Sequence, residues 1–178
     1  MQRMSAISTL TNKYVEKLKG LNCKILETRK TSPLNRFLEK EAVKIGGGYN
    51  HRFGLYDMVM LKDNHIDFCG GLPQALEKTK AYLTENSLEI PVIVEVRNGF
   101  EIDQVMNFPW VKRILLDNMS PKILMENVQK IDGEFETEAS GNIIADNLVS
   151  YAETGVDYVS MGALTYAAIP IDLSLKAV

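Results

Sequence analysis

Apolar residues along this chain of 178 residues fall into two alternating patterns. Stretches with apolar positions three or four apart predict helices, and short unbroken apolar runs between them predict strands covered on both faces. Helical spacing covers 3–19, where Met4, Ile7, Leu10, Tyr14 and Leu18 form one stripe that stops at Gly20. A first strand is predicted over 23–26. A helix follows over 34–45, with Leu38, Ala42 and Ile45 on one face and Gly46-Gly47-Gly48 at its end. The run 58–61 is continuously apolar, and 72–83 is helical with Pro73 in the first turn. Further strands are predicted over 92–96, 111–116, 135–139 and 156–161. Helices alternate with them over 100–106, 121–131 (Ser120 capping, Pro121 first) and 143–153, ended by Gly155, and a helical tail follows.

Such alternation predicts an α/β fold with a parallel sheet of about six strands. The strands can curl into a barrel or lie open as a doubly wound sheet. A dinucleotide-binding sheet is disfavoured, because no Gly-x-Gly-x-x-Gly turn follows the first strand. The domain reading is an amphipathic helix over 1–20 leading into a barrel over 21–178. That helix is an odd opening. Its apolar stripe needs a partner and nothing precedes it, so exposed apolar surface is expected on residues 3–19.

The apolar runs stop abruptly on charged or hydrogen-bonding residues: Arg29-Lys30, Lys62-Asp63-Asn64-His65, Glu95, Asp117-Asn118, Glu138-Ala139-Ser140-Gly141 and Met161-Gly162. Loops after the strands of a parallel βα array share one rim, so these residues describe one site built from the whole chain. Arg29, Lys30, His51, Arg52 and Lys62 supply cations suited to carboxylate or phosphate, and they repel one another unless an anion joins them. The triple glycine permits close approach to a ligand, or simply ends the helix. Lys62 can hold a phosphate or form a Schiff base, or it can point to solvent beside an Asp63-Asn64 turn. His65 reads as a hydrogen-bonded structural residue. Glu95 and Asp117 can accept from vicinal hydroxyls or hold Mg²⁺ together with phosphate oxygens. The competing reading is a salt bridge, with Arg97 a candidate partner for Glu95. Ser140-Gly141-Asn142 and Met161-Gly162-Ala163 are small-residue turns of the kind that bind phosphate.

Composition narrows the classes. Apolar residues are 46% and charged residues 24%, as in ordinary globular domains, and a net charge of −3 gives no pull toward nucleic acid or acidic membranes. No apolar run has membrane-spanning length, and a cytoplasmic location is the default expectation. Cys23 and Cys69 fit neither a metal spacing nor a disulfide framework and read as buried or incidental thiols.

The ordered set Glu27-Thr28-Arg29-Lys30-Thr31, Gly46-Gly47-Gly48-Tyr49-Asn50-His51-Arg52-Phe53-Gly54-Leu55, Leu61-Lys62-Asp63-Asn64-His65-Ile66, Glu95-Val96, Leu116-Asp117-Asn118, Glu138-Ala139-Ser140-Gly141-Asn142, Gly162-Ala163-Leu164-Thr165 and Asp172-Leu173-Ser174-Leu175 closely resembles the quinolinate phosphoribosyltransferase family. The resemblance implies an irregular α/β barrel of fewer than eight strands. It implies transfer of phosphoribosyl from phosphoribosyl pyrophosphate to quinolinate, with loss of pyrophosphate and carbon dioxide, giving nicotinate mononucleotide for NAD synthesis. By it, Arg29, Lys30, His51 and Arg52 line the quinolinate pocket, while Lys30 and Lys62 face the phosphoribosyl donor. Glu95 and Asp117 face ribose hydroxyls and Mg²⁺ brought with the donor. The catalytic set is Lys30, Lys62, Glu95 and Asp117. Ser140, Gly141, Asn142, Gly162 and Ala163 belong to phosphate-binding turns. The expected partners are these two substrates, with no nucleic acid and no membrane. A homodimer or higher homo-oligomer is expected in the full-length form. Three departures stand out. Leu34 follows Pro33 where the family has glycine, so that turn is expected to be built differently. Tyr166 stands where the family often has histidine. The family's N-terminal sandwich domain, which lends an arginine to a neighbouring subunit's site, does not precede residue 1, so the chain reads as the barrel part alone. Two rival functions remain from the residues: a barrel lyase using Lys62 as Schiff base, and a non-catalytic anion-binding barrel.

Overall fold

The computed structural model describes residues 1–177; Val178, the last residue of the expected barrel span, lies outside them. Fourteen elements follow one another: α1 (Gln2–Lys17), β1 (Lys24–Leu26), α2 (Arg36–Ile45), β2 (Val59–Leu61), α3 (Asp63–Cys69), α4 (Leu72–Glu85), β3 (Val92–Val96), α5 (Gly99–Val105), β4 (Arg113–Asp117), α6 (Pro121–Ile131), β5 (Glu136–Ser140), α7 (Leu148–Ala152), β6 (Tyr158–Ser160) and α8 (Ala163–Tyr166). All strand pairs are parallel, in the order β1-β6-β5-β4-β3-β2. The end strands β1 and β2 share no ladder, yet residues following both line one cavity with residues of the other four, so the sheet curls into an incomplete barrel rather than lying open. Tyr49 adds one bridge outside β1, and Arg52 Nη1 donates to Met58 O (3.2 Å) just before β2.

Period-two alternation divides each strand between two environments. Ile25, Val92, Val94, Val96, Ile114, Leu116, Ala139 and Val159 belong to the apolar cluster shared with the surrounding helices. The alternate set faces the barrel interior, and it mixes charged and polar residues with Leu26, Met60, Ile93 and Leu115. At the lower end the Arg113 guanidinium carbon lies 3.9 Å from the Tyr158 ring centroid and pairs with Glu136 (2.9 Å) and Glu138 (2.8 Å). Higher up come Leu115, Glu138 and Ser160, and at the mouth Glu95, Asp117 and Ser140.

The helix over 3–19 is not left bare. Ile7 and Tyr14 are buried, as is Leu18 just past its end, while Met4 and Leu10 are partly covered. Its partners are α2 and α8. Arg3 Nε bonds Glu39 of α2 (2.9 Å), and its Nη2 donates to Thr165 O of α8 (2.8 Å). The glycines after α2 serve this contact. A Cβ at Gly46 would lie 2.5 Å from Ser8 O and 2.7 Å from Thr11 Cβ. The close approach is therefore to α1, not to a ligand. Exposed apolar side chains lie elsewhere, among them Leu34, Phe37, Leu55, Tyr56, Phe68 and Phe100.

Other differences have local causes. Asp63 and Asn64 open a helix that the pattern missed, because His65 Nδ1 accepts the Lys62 N–H (2.9 Å) and caps it. The expected helix over 143–153 shortens to α7, with Asn147 side-chain bonds to Ile144 N and Asn142 O holding the preceding residues in a turn. β2 is only partly buried at Val59 and Met60, since it ends the sheet. Leu34 takes φ +63°, the left-handed region a glycine would adopt, so the turn is not rebuilt but strained.

Candidate active site

A cavity of about 590 Å³ opens at the C-terminal ends of the strands. Its lining takes in Arg29, Lys30, His51, Arg52, Lys62, Glu95, Asp117, Ser140, Gly141, Asn142 and Gly162, which is every expected site residue but one. Ala163 is the exception: it begins α8 and packs against the apolar core. The volume lies within the ordinary range for small-molecule sites.

The cations come from the first third of the chain. Arg29 Nε is buried and has no hydrogen-bond partner. Burial first, and then the charge of Arg29, push the Arg52 guanidinium below its usual value, against an opposing pull from Asp57. Two guanidiniums that repel each other, one with an unspent buried donor, make a receptor for an oxyanion. Lys30 is anchored through its main chain, its N–H donating to Thr28 Oγ1 (3.2 Å) and its carbonyl accepting from Thr165 Oγ1 (2.8 Å).

His51 is more committed than its sequence position suggests. Its Nδ1 accepts the Arg52 N–H at 2.7 Å, which places the ring proton on Nε2. Nε2 stands 3.4 Å from Glu138 Oε2, an ion-pair distance outside hydrogen-bonding geometry. The ring is thus held between a main-chain donor and a carboxylate, and it shapes the pocket more than it serves as a free base. Glu138 is wholly buried. Burial pushes its carboxyl up, but His51 and Arg113 outweigh that and hold it below the usual value.

The carboxylates stand across the mouth. Glu95 Oε2 pairs with Lys62 Nζ at 2.6 Å. Its partner is therefore Lys62, while Arg97 turns to Glu101 (2.6 Å) and Asp67 (3.2 Å). Asp117 accepts from Ser140 Oγ (3.1 Å) and Asn118 Nδ2 (2.6 Å), and Asn118 Oδ1 accepts from Asn142 Nδ2 (3.0 Å). Asn118 and Asn142 both take φ +52° and Gly141 φ +94°. A Cβ on Gly141 would come 2.3 Å from Asn118 Oδ1, so only glycine lets the two loops interlock. Among the described residues no group of three or more His, Cys, Asp and Glu side chains is arranged to hold a metal alone. Glu95 and Asp117 both line the cavity, and a hard cation needs only one or two carboxylates when phosphate oxygens and water complete its shell.

Glu138 and Asn118, grouped with the strand-end residues but given no individual role, also line the cavity; sequence reasoning missed Thr28, Ser160 and Tyr166, with an apolar wall of Met60, Leu115, Ile143 and Ile144. Period two from Ser140 places Glu138 on the same inward face, but the type of Ser160 itself gives little signal. Tyr166 and the wall carry no comparable signal. Cys23 is buried, and burial, helped by Asp157, pushes its thiol up to about 12; it does not line the cavity.

Fold and site together define a class: a parallel βα barrel whose mouth sets cationic side chains against carboxylates around a small-molecule cavity. Comparison with known proteins is specific within it. The family model "Quinolinate phosphoribosyl transferase, C-terminal domain" matches residues 7–176, and the chain belongs to that family. It is 45% identical over 190 residues to quinolinate phosphoribosyltransferase [decarboxylating] 2b, mitochondrial, of Nicotiana tabacum, covering 99% of this chain and 54% of the relative. It is 38% identical to a probable nicotinate-nucleotide pyrophosphorylase [carboxylating] of Bacillus subtilis, covering 98% and 59%. The crystal structure of NadC from Streptococcus pyogenes superposes with TM-score 0.91 at 39% identity, covering 99% of this chain and 60% of that one. The chain thus spans little more than half the length of the relatives it matches.

Proposed function

We propose that this chain carries the phosphoribosyl-transfer site of a quinolinate phosphoribosyltransferase. The observation that carries the reading is the meeting of Arg29 and Arg52, with no carboxylate of the described residues bonded to either, in one cavity with Glu95 and Asp117. Quinolinate brings two carboxylates on an aromatic ring. Arg29 and Arg52 grip them, with Lys30 beside, while Met60 and Leu115 offer apolar surface to the ring. The donor's diphosphate lies toward Lys30 and Lys62, and its 5′-phosphate at the Ser140-Gly141-Asn142 and Gly162 turns. Glu95 and Asp117 face the ribose hydroxyls. Mg²⁺ brought with the donor would sit at these two carboxylates and neutralise diphosphate charge.

The ring nitrogen's lone pair forms the bond to the ribose anomeric carbon as the bond to pyrophosphate breaks and its electrons leave with pyrophosphate. The carboxylate beside the now cationic nitrogen then leaves as carbon dioxide, and the ring carbon takes a proton from water. The chain's own contribution is to hold two anions within reach and to place negative charge by the electron-poor ribose. A Schiff-base lyase is disfavoured. Lys62 is exposed over 46% of its side chain and engaged by Glu95, the reverse of the apolar burial that activates such a lysine.

No described helix is long and apolar enough to cross a membrane, and a cytoplasmic location remains part of this reading. The expected homo-oligomer draws support from the exposed Leu34, Phe37, Leu55 and Tyr56. Calorimetry with quinolinate and with Mg²⁺–phosphoribosyl pyrophosphate tests the site, and a nicotinate mononucleotide assay, with and without an N-terminal domain added in trans, tests turnover. Failure of both ligands to bind would remove the reading.

A further inference from the structure

A buried ion pair lies behind the pocket wall rather than in its lining. Lys40 of α2 and Glu27, just after β1, are 2% and 0% exposed and paired. Both also take hold of one residue of the cavity wall. Lys40 Nζ donates to His51 O at 2.9 Å, and the His51 N–H donates to Glu27 Oε1 at 2.9 Å. His51 stands where the sheet has run out. Tyr49 still exchanges main-chain bonds with Ile25 and Glu27, but the His51 main chain makes none with any backbone group of the described residues. Two charged side chains replace the missing ladder.

Stability does not account for this choice. Burial pushes the Glu27 carboxyl up to about 7 despite Lys40, it pushes Lys40 down, and Glu27 Oε2 has no partner at all. As an ion pair alone, Glu27 and Lys40 could be exchanged for a well-packed apolar pair of similar volume, a change that is often neutral or stabilising. What an apolar pair cannot do is grip an N–H and a C=O at fixed positions. The grip passes on to the next residue, because the Arg52 N–H is bound to His51 Nδ1 and Arg52 Nη1 to Met58 O.

We propose that Glu27 and Lys40 are positioning residues for the ring-diacid half of the site, acting through the His51 main chain to aim Arg52 into the cavity. This rests on the pocket assignment above and deepens it. It predicts a split: disturbing the pair harms recognition of the aromatic diacid and spares the phosphoribosyl donor, whose contacts other than Lys30 lie on other strands.

The test is the double replacement Glu27→Leu with Lys40→Met in the intact chain. The expected result is a cooperative fold, lowered in melting temperature because the His51 N–H and C=O lose their partners, with quinolinate affinity weakened about tenfold or more and donor affinity changed less than about twofold. Unchanged quinolinate affinity, or equal losses for both ligands, overturns the proposal. Amide hydrogen exchange supplies a readout that needs no ligand: the His51 and Arg52 amides lose protection while β3, β4 and β5 amides keep theirs. If the parent chain binds no quinolinate, the pocket assignment fails, and exchange alone decides the positioning claim, with unaltered protection at His51 refuting it. If the double variant does not fold, Glu27→Gln and Glu27→Asp replace it. Gln keeps the reach to the His51 N–H and should hold quinolinate within about threefold, whereas Asp keeps the charge, withdraws the oxygen and should weaken binding about tenfold. The reverse ranking sinks the idea.

Discussion

The two sides of the mouth are held in place by different physics. On the β1–β2 side, Arg29, His51 and Arg52 sit on segments with little sheet beneath them, and buried charges stand in: Glu27 with Lys40 behind His51, Arg113 with Glu138 below it. On the β3–β6 side, Glu95, Asp117 and Ser140 are carried directly by strand residues in ladder register, with Asp117 opposite Ser140, and their loops are locked by short polar bonds and left-handed backbone. The first arrangement stakes specificity on a few desolvated ion pairs. The second spreads it over many cheap local contacts. Damage on the first side should therefore be large and pH-sensitive, and damage on the second smaller and confined to one ligand.

The sharpest way to break this contrast is Arg113→Met. It leaves Glu138 buried against His51 alone and should destabilise the fold by about 3–5 kcal/mol at pH 7 by denaturant unfolding. The pH dependence should change as well. In the parent the Glu138 carboxyl is held low, so its contribution is present above the ordinary glutamate value of about 4.3 and is lost as pH falls through its depressed folded value. In the variant burial is opposed only by His51, so the loss should shrink as pH is lowered toward about 5. A loss of stability independent of pH would show that Glu138 is not the charge being compensated.

Next in size are Arg52→Ala and Asp117→Asn, read side by side. Arg52→Ala should weaken quinolinate by about 1.5–3 kcal/mol in calorimetry and leave phosphoribosyl pyrophosphate nearly unaffected. Asp117→Asn should do the opposite. Parallel losses would erase the distinction between the two sides. Gly141→Ala should cost about 1–2 kcal/mol of stability, measured by thermal unfolding, because its Cβ meets Asn118 in a left-handed backbone; donor affinity should fall with it. The smallest effect is a gain. Leu34→Gly relieves a strained, exposed leucine and should raise stability by about 0.5–1 kcal/mol, with both affinities unchanged.

Most of the β3–β6 side was legible in the linear chain. An apolar run that ends on Glu95, or on Asp117-Asn118, states both the strand and the position of its rim residue. The other side was only half legible. Arg29, Lys30, His51 and Arg52 could be gathered as a set of cations, yet nothing local distinguishes Lys40 from any lysine on a polar helix face. Its burial depends on where α2 lands against β1, and that landing depends on Gly46 meeting α1. The same dependence misled the reading of the triple glycine and of the first helix, whose partners lie far along the chain.

What the order of residues determined by itself was the alternation of strand and helix, and the list of charged groups stranded at strand ends, because periodicity and turn chemistry act over a few residues. Only the tertiary structure decided which charges are buried, which pair with which, and that Ala163 packs against the core while Tyr166 reaches the cavity. Desolvation and Coulomb energy depend on distances through space between segments far apart in sequence, and no local pattern encodes those distances.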